Sequence, residues 1–246
     1  MRYLVISDIH ANLTAFEAVL AAAEGTYDKI WCLGDVVGYG PHPNECVERL
    51  QEYDHLCLAG NHDWAVLDKL DIDDFQPHAR FAVLWTREEL TAENFDYLDN
   101  LPVNLQEEEV FTLVHASPRH PIWEYILYRK IAQQNFNHFQ TPYCLVGHTH
   151  SPAIFIEASS PQDMCDEIIP GPGDYVYKLN SERLIINPGS VGQPRDGDAR
   201  ASYGLLDTDT MNFEIKRVPY HISEVQELMK QYQFPRKLWT RLAFGY

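Results

Sequence analysis

The segment Arg2-Tyr3-Leu4-Val5-Ile6-Ser7-Asp8-Ile9-His10 decides how the rest of the chain is read. Residues 2–7 have the pattern of a short buried strand, and the strand runs directly into two side chains that can bind a metal. Asp8 and His10 lie two apart, so an extended backbone would put both on one side, where they could share a cation. A helix follows over 12–24. Leu13, Phe16, Val19, Leu20 and Ala23 keep helical spacing, Asn12 is suited to cap its start, and Gly25 is suited to end it.

The same unit recurs outward from this segment. A second strand over 28–33 ends at Gly34-Asp35, and a helix near 42–51 opens with Pro43 and Asn44. A third strand over 54–59 ends at Gly60-Asn61-His62-Asp63. Strands alternating with helices predict βαβ units, an α/β fold and a largely parallel sheet. Residues 64–100 then read as helical and acidic, with Pro77 in a first turn and an apolar stripe of Phe81, Leu84, Trp85 and Leu90. Strands near 103–106 and 109–114 deliver His115, and a second helical stretch rich in Trp and Tyr covers 118–140. A strand over 142–147 runs into Gly147-His148-Thr149-His150. The remainder is β-rich, near 152–157, 174–179, 183–187, 202–207 and 211–218, with closing helices over 222–241. Residues 157–173 read as a loop rather than a boundary. One domain over 1–246 is expected, with helical inserts near 64–100 and 118–140.

Composition bounds the function. The 246 residues are 45% hydrophobic and 22% charged, as in an ordinary globular domain with a substantial core. No apolar run approaches the length of a membrane span. The first strand begins at once and leaves no room for a signal peptide, so a cytoplasmic location is expected. Five cysteines (Cys32, Cys46, Cys57, Cys144 and Cys165) with no CxxC indicate neither a disulfide framework nor a thiolate zinc site. A net charge of -17 argues against a nucleic-acid duplex as partner. A small phosphate ester is compatible, because cations in a pocket reverse the local field. A homo-oligomer is compatible as well.

The five polar clusters supply Asp8 and Asp35, Asn61, and the imidazoles of His10, His62, His115, His148 and His150. Each cluster ends a strand, and open α/β sheets carry their sites beyond the carboxyl ends of strands. Such a donor set without thiolate can hold two divalent cations; it suits manganese, iron or zinc, with manganese favoured. Asp35 is suited to bridge the pair, Asn61 offers a neutral carbonyl oxygen, and His62 is the spare imidazole for proton transfer. Two ions about 3.5–4 Å apart form a phosphoryl-transfer device.

The order D-x-H, G-D, G-N-H-[DE], H, G-H-x-H resembles the calcineurin-like metallophosphoesterase superfamily, and all five motifs are intact. The wording is similar to the small bacterial and archaeal phosphodiesterase-like branch. Ser7-Asp-Ile-His-Ala-Asn-Leu-Thr-Ala, Gly34-Asp-Val-Val-Gly-Tyr-Gly-Pro and Asn187-Pro-Gly-Ser-Val-Gly-Gln-Pro-Arg-Asp carry the likeness, from residue 3 to about 220. The resemblance implies a four-layer α/β/β/α sandwich. It implies one metal on Asp8, His10, Asp35 and His150, and a second on Asp35, Asn61, His115 and His148. Asn61 and His62 would touch substrate, with His62 assisting the leaving group while a hydroxide bridging the cations attacks phosphorus. One departure matters. Where the Ser/Thr protein phosphatases carry Gly-Asp-x-Val-Asp-Arg-Gly, this chain has Gly34-Asp35-Val36-Val37-Gly38-Tyr39-Gly40, lacking the second aspartate and the arginine.

The expected activity is therefore binuclear metal-dependent phosphoester hydrolysis, with a diester favoured. A phosphomonoesterase, a protein phosphatase and a non-catalytic binding module on the same fold are the alternatives, and an intact His62 speaks against the last. Trp123, Tyr125 and Tyr128 could stack on a substrate ring or pack a helical flap. Arg195 and Arg119 could bind a phosphate oxygen or serve as surface ion-pair partners.

Overall fold

A computed structural model describes residues 1–73, 75–160 and 163–246. Two mixed six-stranded sheets stack on one another. The first runs β3 (His55–Cys57), β2 (Lys29–Cys32), β1 (Arg2–Ile6), β11 (Ala201–Asp207), β12 (Asn212–Val218), β9 (Tyr175–Lys178). The second runs β4 (Asn104–Glu107), β5 (Phe111–Val114), β6 (Tyr143–Leu145), β10 (Leu184–Asn187), β7 (Ala153–Ile156), β8 (Asp166–Ile168).

The strand period of two sorts the core into layers. In β1, Tyr3 and Val5 face the second sheet, where they meet Phe111, Leu145 and Ile186, while Leu4 and Ile6 face helices. Helix α1 (Leu13–Ala23) lays Ala15, Phe16, Val19, Leu20 and Ala23 on that outer face. The Asn12 side chain accepts from Ala15 N at its start, and Gly25 takes φ +73° at its end. Trp31 ties the sheets together: it stacks on Tyr3 at 3.9 Å and meets the Phe111 edge at 5.5 Å. Burying a side chain of this kind contributes about 1.5–3 kcal/mol. On the far face of the second sheet, Ala132 of α6 (Arg129–Asn135) and the following Phe136 pack with Val114, Cys144 and Phe155. The expected α/β/β/α layering is thus what the molecule shows, and all five cysteines are buried and unpaired.

Several expectations need correction. The sheets are parallel only across β3-β2-β1 and β5-β6-β10, and every other pairing is antiparallel. The later strands return through hairpins, which need no crossover helix. Residues 64–100 hold the end of α3 (Asn61–Val66), then α4 (Pro77–Glu89) and α5 (Ala92–Asp99); residue 74 lies outside the described residues. The buried face of α4 is Ala79, Ala82, Val83 and Thr86, while Leu84 is exposed. Its large residues turn instead to the C-terminal segment, where Trp85 packs on Phe234 at 4.7 Å and Tyr232 at 5.4 Å. The stretch 118–140 is helical only from Arg129; residues 118–128 form turns and open segments, so Trp123, Tyr125 and Tyr128 ride on a loop. Within 157–173, where 161 and 162 lie outside the described residues, Asp166–Ile168 adds an edge strand that three residues with exposed charges do not announce. As expected for 222–241, α7 (Ile222–Gln231) and α8 (Arg236–Arg241) close the helical face, where α2 (Pro43–Gln51) also packs beside α1. Among the described residues no helix is long and apolar enough to cross a membrane.

Candidate metal centre

The loops after β1, β2, β3, β5 and β6 converge at one end of the two sheets. Those after β1 and β2 are laced by main-chain bonds: Asp8 N to Gly34 O at 3.0 Å, His10 N to Asp35 O at 2.9 Å, Ala11 N to Val36 O at 2.8 Å. The second sheet joins through His115, whose Nδ1 donates to Leu33 O at 2.8 Å, and Gly147 N, which donates to His115 O at 2.7 Å. Asp8, His10, Asp35, Asn61, His115, His148 and His150 are all buried, none more than 3% exposed.

The backbone that presents most of them is not extended, so the extended geometry expected to pair Asp8 with His10 is not what brings them together. Asp8, His10, Asp35, His148 and His150 have φ of 55°, 50°, 54°, 65° and 60°, in the left-handed region that non-glycine residues seldom adopt. Each such residue costs on the order of 1–3 kcal/mol, held by the surrounding bonds.

Two clusters result. Asp8, His10 and His150 form one, and Asp35, His115 and His148 the other, each with its donor atoms within 4.8 Å of one another. Asp35 Oδ2 stands between them, 3.6 Å from His10 Nε2 and 3.4 Å from His115 Nε2. Asp8 Oδ1 lies 3.3 Å from His150 Nε2, and Asn61 Oδ1 lies 3.2 Å from His115 Nε2.

This donor set fits cations. The Nδ1 atoms of His10, His115 and His150 each meet a main-chain carbonyl (of Val37, Leu33 and Gln193), which can only accept, so Nδ1 carries the hydrogen. In the neutral ring each Nε2 is then a lone pair directed inward. His10 Nε2 and His150 Nε2 face each other at 3.1 Å, a repulsive arrangement unless positive charge lies beside it. Asp8 Oδ1, Asp35 Oδ2 and His148 Nε2 are buried and make no hydrogen bond among the described residues. Burial pushes the Asp8 carboxyl up to about 6. Burial acts on Asp35 in the same sense but is overcome by His115, His62 and His10, which hold its carboxyl far below the usual range. Burial lowers His115 too, and the Asp35 carboxylate outweighs it, raising the imidazole to about 9. The cluster draws positive charge to itself.

Three elements named in the sequence support the site in ways the motifs do not state. Asp63, fully buried, accepts from Gly60 N at 2.9 Å, Asp35 N at 2.9 Å and Val37 N at 3.1 Å, tying the β3 loop to the β2 loop. Asp35 Oδ1 in turn accepts from His62 N at 2.8 Å, which leaves Oδ2 for the centre. A Cβ at Gly60 would stand 2.0 Å from Asp35 Oδ1, so only glycine fits there. The segment from Asn187 runs beneath both ends of the site. Asn187 Nδ2 donates to Gly147 O at 2.7 Å and Thr149 Oγ1 at 2.9 Å; Ser190 Oγ donates to Asp8 O at 2.9 Å; Gln193 O accepts from His150 Nδ1 at 2.6 Å. Tyr125 lies over His148 with ring centres 3.8 Å apart. Apart from the Asp63 to Gly60 bond, three residues apart, these contacts join residues distant in sequence, so local pattern does not show them.

His62 sits at the edge of the centre. Its Nδ1 makes no hydrogen bond among the described residues, and its ring packs against Tyr39 at 4.2 Å, His10 at 4.9 Å and Phe75 at 5.6 Å. Burial pushes the imidazole down to about 4. Gly38, at φ +87°, makes room: a Cβ there would meet His62 Nδ1 at 2.6 Å. The aspartate missing from the phosphatase-type pattern is thus replaced by space that the imidazole fills, and Tyr39 stands where the arginine would. Arg119 is bound to Glu124 and Gln134, which makes it a partner within its loop rather than a free anion ligand. Arg195 lies with its Cζ 5.6 Å from the Tyr39 ring centre and donates to Gln193 Oε1.

Two stacked mixed sheets, with Asp, Asn and His donors gathered where their loops meet, define a metallophosphoesterase-type protein. The chain belongs to the calcineurin-like phosphoesterase superfamily, whose domain model matches residues 1–211. A metallophosphoesterase crystal structure from Sphaerobacter thermophilus is 48% identical, covers 100% of this chain and 99% of its own, and superposes with a TM-score of 0.91. The uncharacterized protein MJ0912 of Methanocaldococcus jannaschii is 39% identical over 246 residues, 98% of this chain and 97% of its own length. The Pyrococcus horikoshii protein PH1004 shares the fold at 20% identity, with a TM-score of 0.81 over 100% of this chain and 98% of its own.

Proposed function

We propose that the chain hydrolyses phosphate esters, diesters in preference to monoesters, at two divalent cations with manganese favoured. The observation that carries this reading is the position of Asp35 Oδ2, which makes no hydrogen bond among the described residues and stands between two buried Asp/His clusters. Asp8, His10, Asp35 and His150 would hold one cation; Asp35, Asn61, His115 and His148 the other. When bound, such a pair supplies Lewis acidity, activating water and neutralising charge on phosphorus.

The chain's own residues do the rest. The carbonyl partners of His10, His115 and His150 fix the imidazoles with Nε2 inward. Asn61 and His62 meet the substrate, and His62 assists departure of the leaving oxygen by hydrogen bonding or proton donation. Because burial keeps its imidazole mostly neutral, the proton is held only once an anion lies against it. Tyr39 at the arginine position favours a singly charged diester, for which two cations suffice. Tyr125 and Trp123, 37% and 43% exposed, offer aromatic surface to a second ester substituent.

The test is hydrolysis of bis-p-nitrophenyl phosphate against p-nitrophenyl phosphate with manganese added, for the native chain and His62→Ala. Faster cleavage of the diester, with metal content kept and turnover reduced about 10²–10⁴-fold in the variant, is expected. Cleavage of neither ester by manganese-loaded protein would favour the binding-module reading, and equal turnover in the variant would remove His62 from the chemistry.

A further inference from the structure

We infer that the ester substituent departing beside His62 is a flat aromatic ring, received by Phe75 and Trp123. This names a substrate class for the hydrolytic reading above and rests on that reading for the role of His62.

The segment between β3 and β4 meets the segment between β5 and β6 through these two rings. Phe75, from the first, packs edge-on against the His62 imidazole at 5.6 Å. Trp123, from the second, lies 5.2 Å from Phe75 and 6.2 Å from the His148 imidazole. A line of rings therefore runs from the spare imidazole to a candidate metal ligand. His62 has a second aromatic neighbour, Tyr39, but that ring is already enclosed by His10 at 4.7 Å and by the Arg195 guanidinium at 5.6 Å. The Phe75 side leads instead to Trp123, which is 43% exposed. A substituent beside His62 has its way out over these two rings.

Trp123 does not serve the packing of the fold. It belongs to none of the three apolar cores among the described residues. An indole left this open forgoes much of the gain from burial, and a second ring laid on it recovers that gain. Its position is nonetheless set. Trp123 N donates to His120 O at 3.3 Å, and Glu124, next in sequence, accepts from Ser117 Oγ at 2.7 Å and Asn135 Nδ2 at 2.8 Å and pairs with Arg119. A ring held in place before binding loses little freedom when the ligand arrives. Trp123 also borders an open groove of about 340 Å³, lined by Trp64, Val103, Pro121, Ile122 and His120, which extends the apolar surface. No lysine or arginine lies over Phe75 or Trp123 among the described residues. A surface of ring faces without fixed charge matches a planar apolar group, and gives a polyol or a further phosphate nothing to bind.

Binding and turnover test this separately. By calorimetry on the manganese-loaded chain, phenylphosphonate is expected to bind at least about fivefold more tightly than methylphosphonate, as stacking on two rings can supply. Trp123→Ala should cut that ratio to about twofold or less, Phe75→Leu should lower it, Trp123→Tyr should keep most of it, and Leu127→Ala, in the same loop, should leave it intact. A ratio near one in the native chain, or one unmoved by both Trp123→Ala and Phe75→Leu, overturns the inference. In turnover, methyl p-nitrophenyl phosphate carries its single ring on the leaving side. Trp123→Ala should lower its kcat/KM about fivefold, mainly through KM, and that of bis-p-nitrophenyl phosphate by a similar factor. A loss confined to the bis ester would assign the ring to the substituent that stays, and would overturn the inference as well. Cleavage of neither ester by a chain that keeps the phenylphosphonate ratio would instead sink the hydrolytic reading while upholding the ring site.

Discussion

The floor and the rim of this site are built in opposite ways. Every floor residue is at most 3% exposed and is braced by buried hydrogen bonds, from Asp63 under Gly60, Asp35 and Val37 to Ser190 under Asp8. The rim residues Trp123, Tyr125 and Tyr128 are 43%, 37% and 67% exposed and ride on a loop clamped by Glu124, which binds Arg119, Ser117 and Asn135. A rigid floor suits a centre whose donors must not move; a loop rim suits contacts that select what enters.

If that contrast is right, damage should grade from floor to rim. Replacing Asp35 by Ala removes the one oxygen between both clusters and is expected to empty the centre of metal and lower turnover about 10³-fold or more. Elemental analysis checks it, and retention of two ions would break the comparison. Asp63→Ala leaves three buried N–H groups without an acceptor, each costing about 1–3 kcal/mol. It should lower both melting temperature and metal affinity, the latter about 10–100-fold; a loss of activity with melting unchanged would move Asp63 from brace to chemistry.

Rim changes should be milder. Tyr125→Ala removes the stack on His148 and is expected to raise KM for an aryl diester, by the equivalent of about 0.5–1.5 kcal/mol, with metal content unchanged. Metal loss in that variant would show the rim to be part of the floor. The smallest effect concerns acid stability. Burial raises the Glu124 carboxyl, but hydrogen bonds from Arg119, Asn135 and Ser117 prevail and hold it at about 2, below its ordinary 4.5. A depressed folded value means stabilisation that is full above 4.5 and fades as pH falls toward 2. The native chain should therefore melt slightly higher than Glu124→Gln near neutrality, and the gap should close in that acid window.

The sequence by itself determined the polar clusters at the strand ends and where several elements begin; the four-layer arrangement was implied by the family resemblance. Strand-end motifs, Asn12 as a cap, Pro43 and Pro77 in first turns, and the period of β1 are local features, and local features are legible because their energetics act within a few residues. It also carried the family, through motifs whose residue types are dictated by metal chemistry. Tertiary structure alone decided how the donors are held. The left-handed backbone at Asp8, His10, Asp35, His148 and His150 is stable only inside bonds made across the sheets. The pairing of Asn187 with Gly147, of Ser190 with Asp8, and of Tyr125 with His148 joins residues 40, 182 and 23 apart in the chain. Such contacts depend on where whole elements pack, and no window of neighbouring residues encodes that.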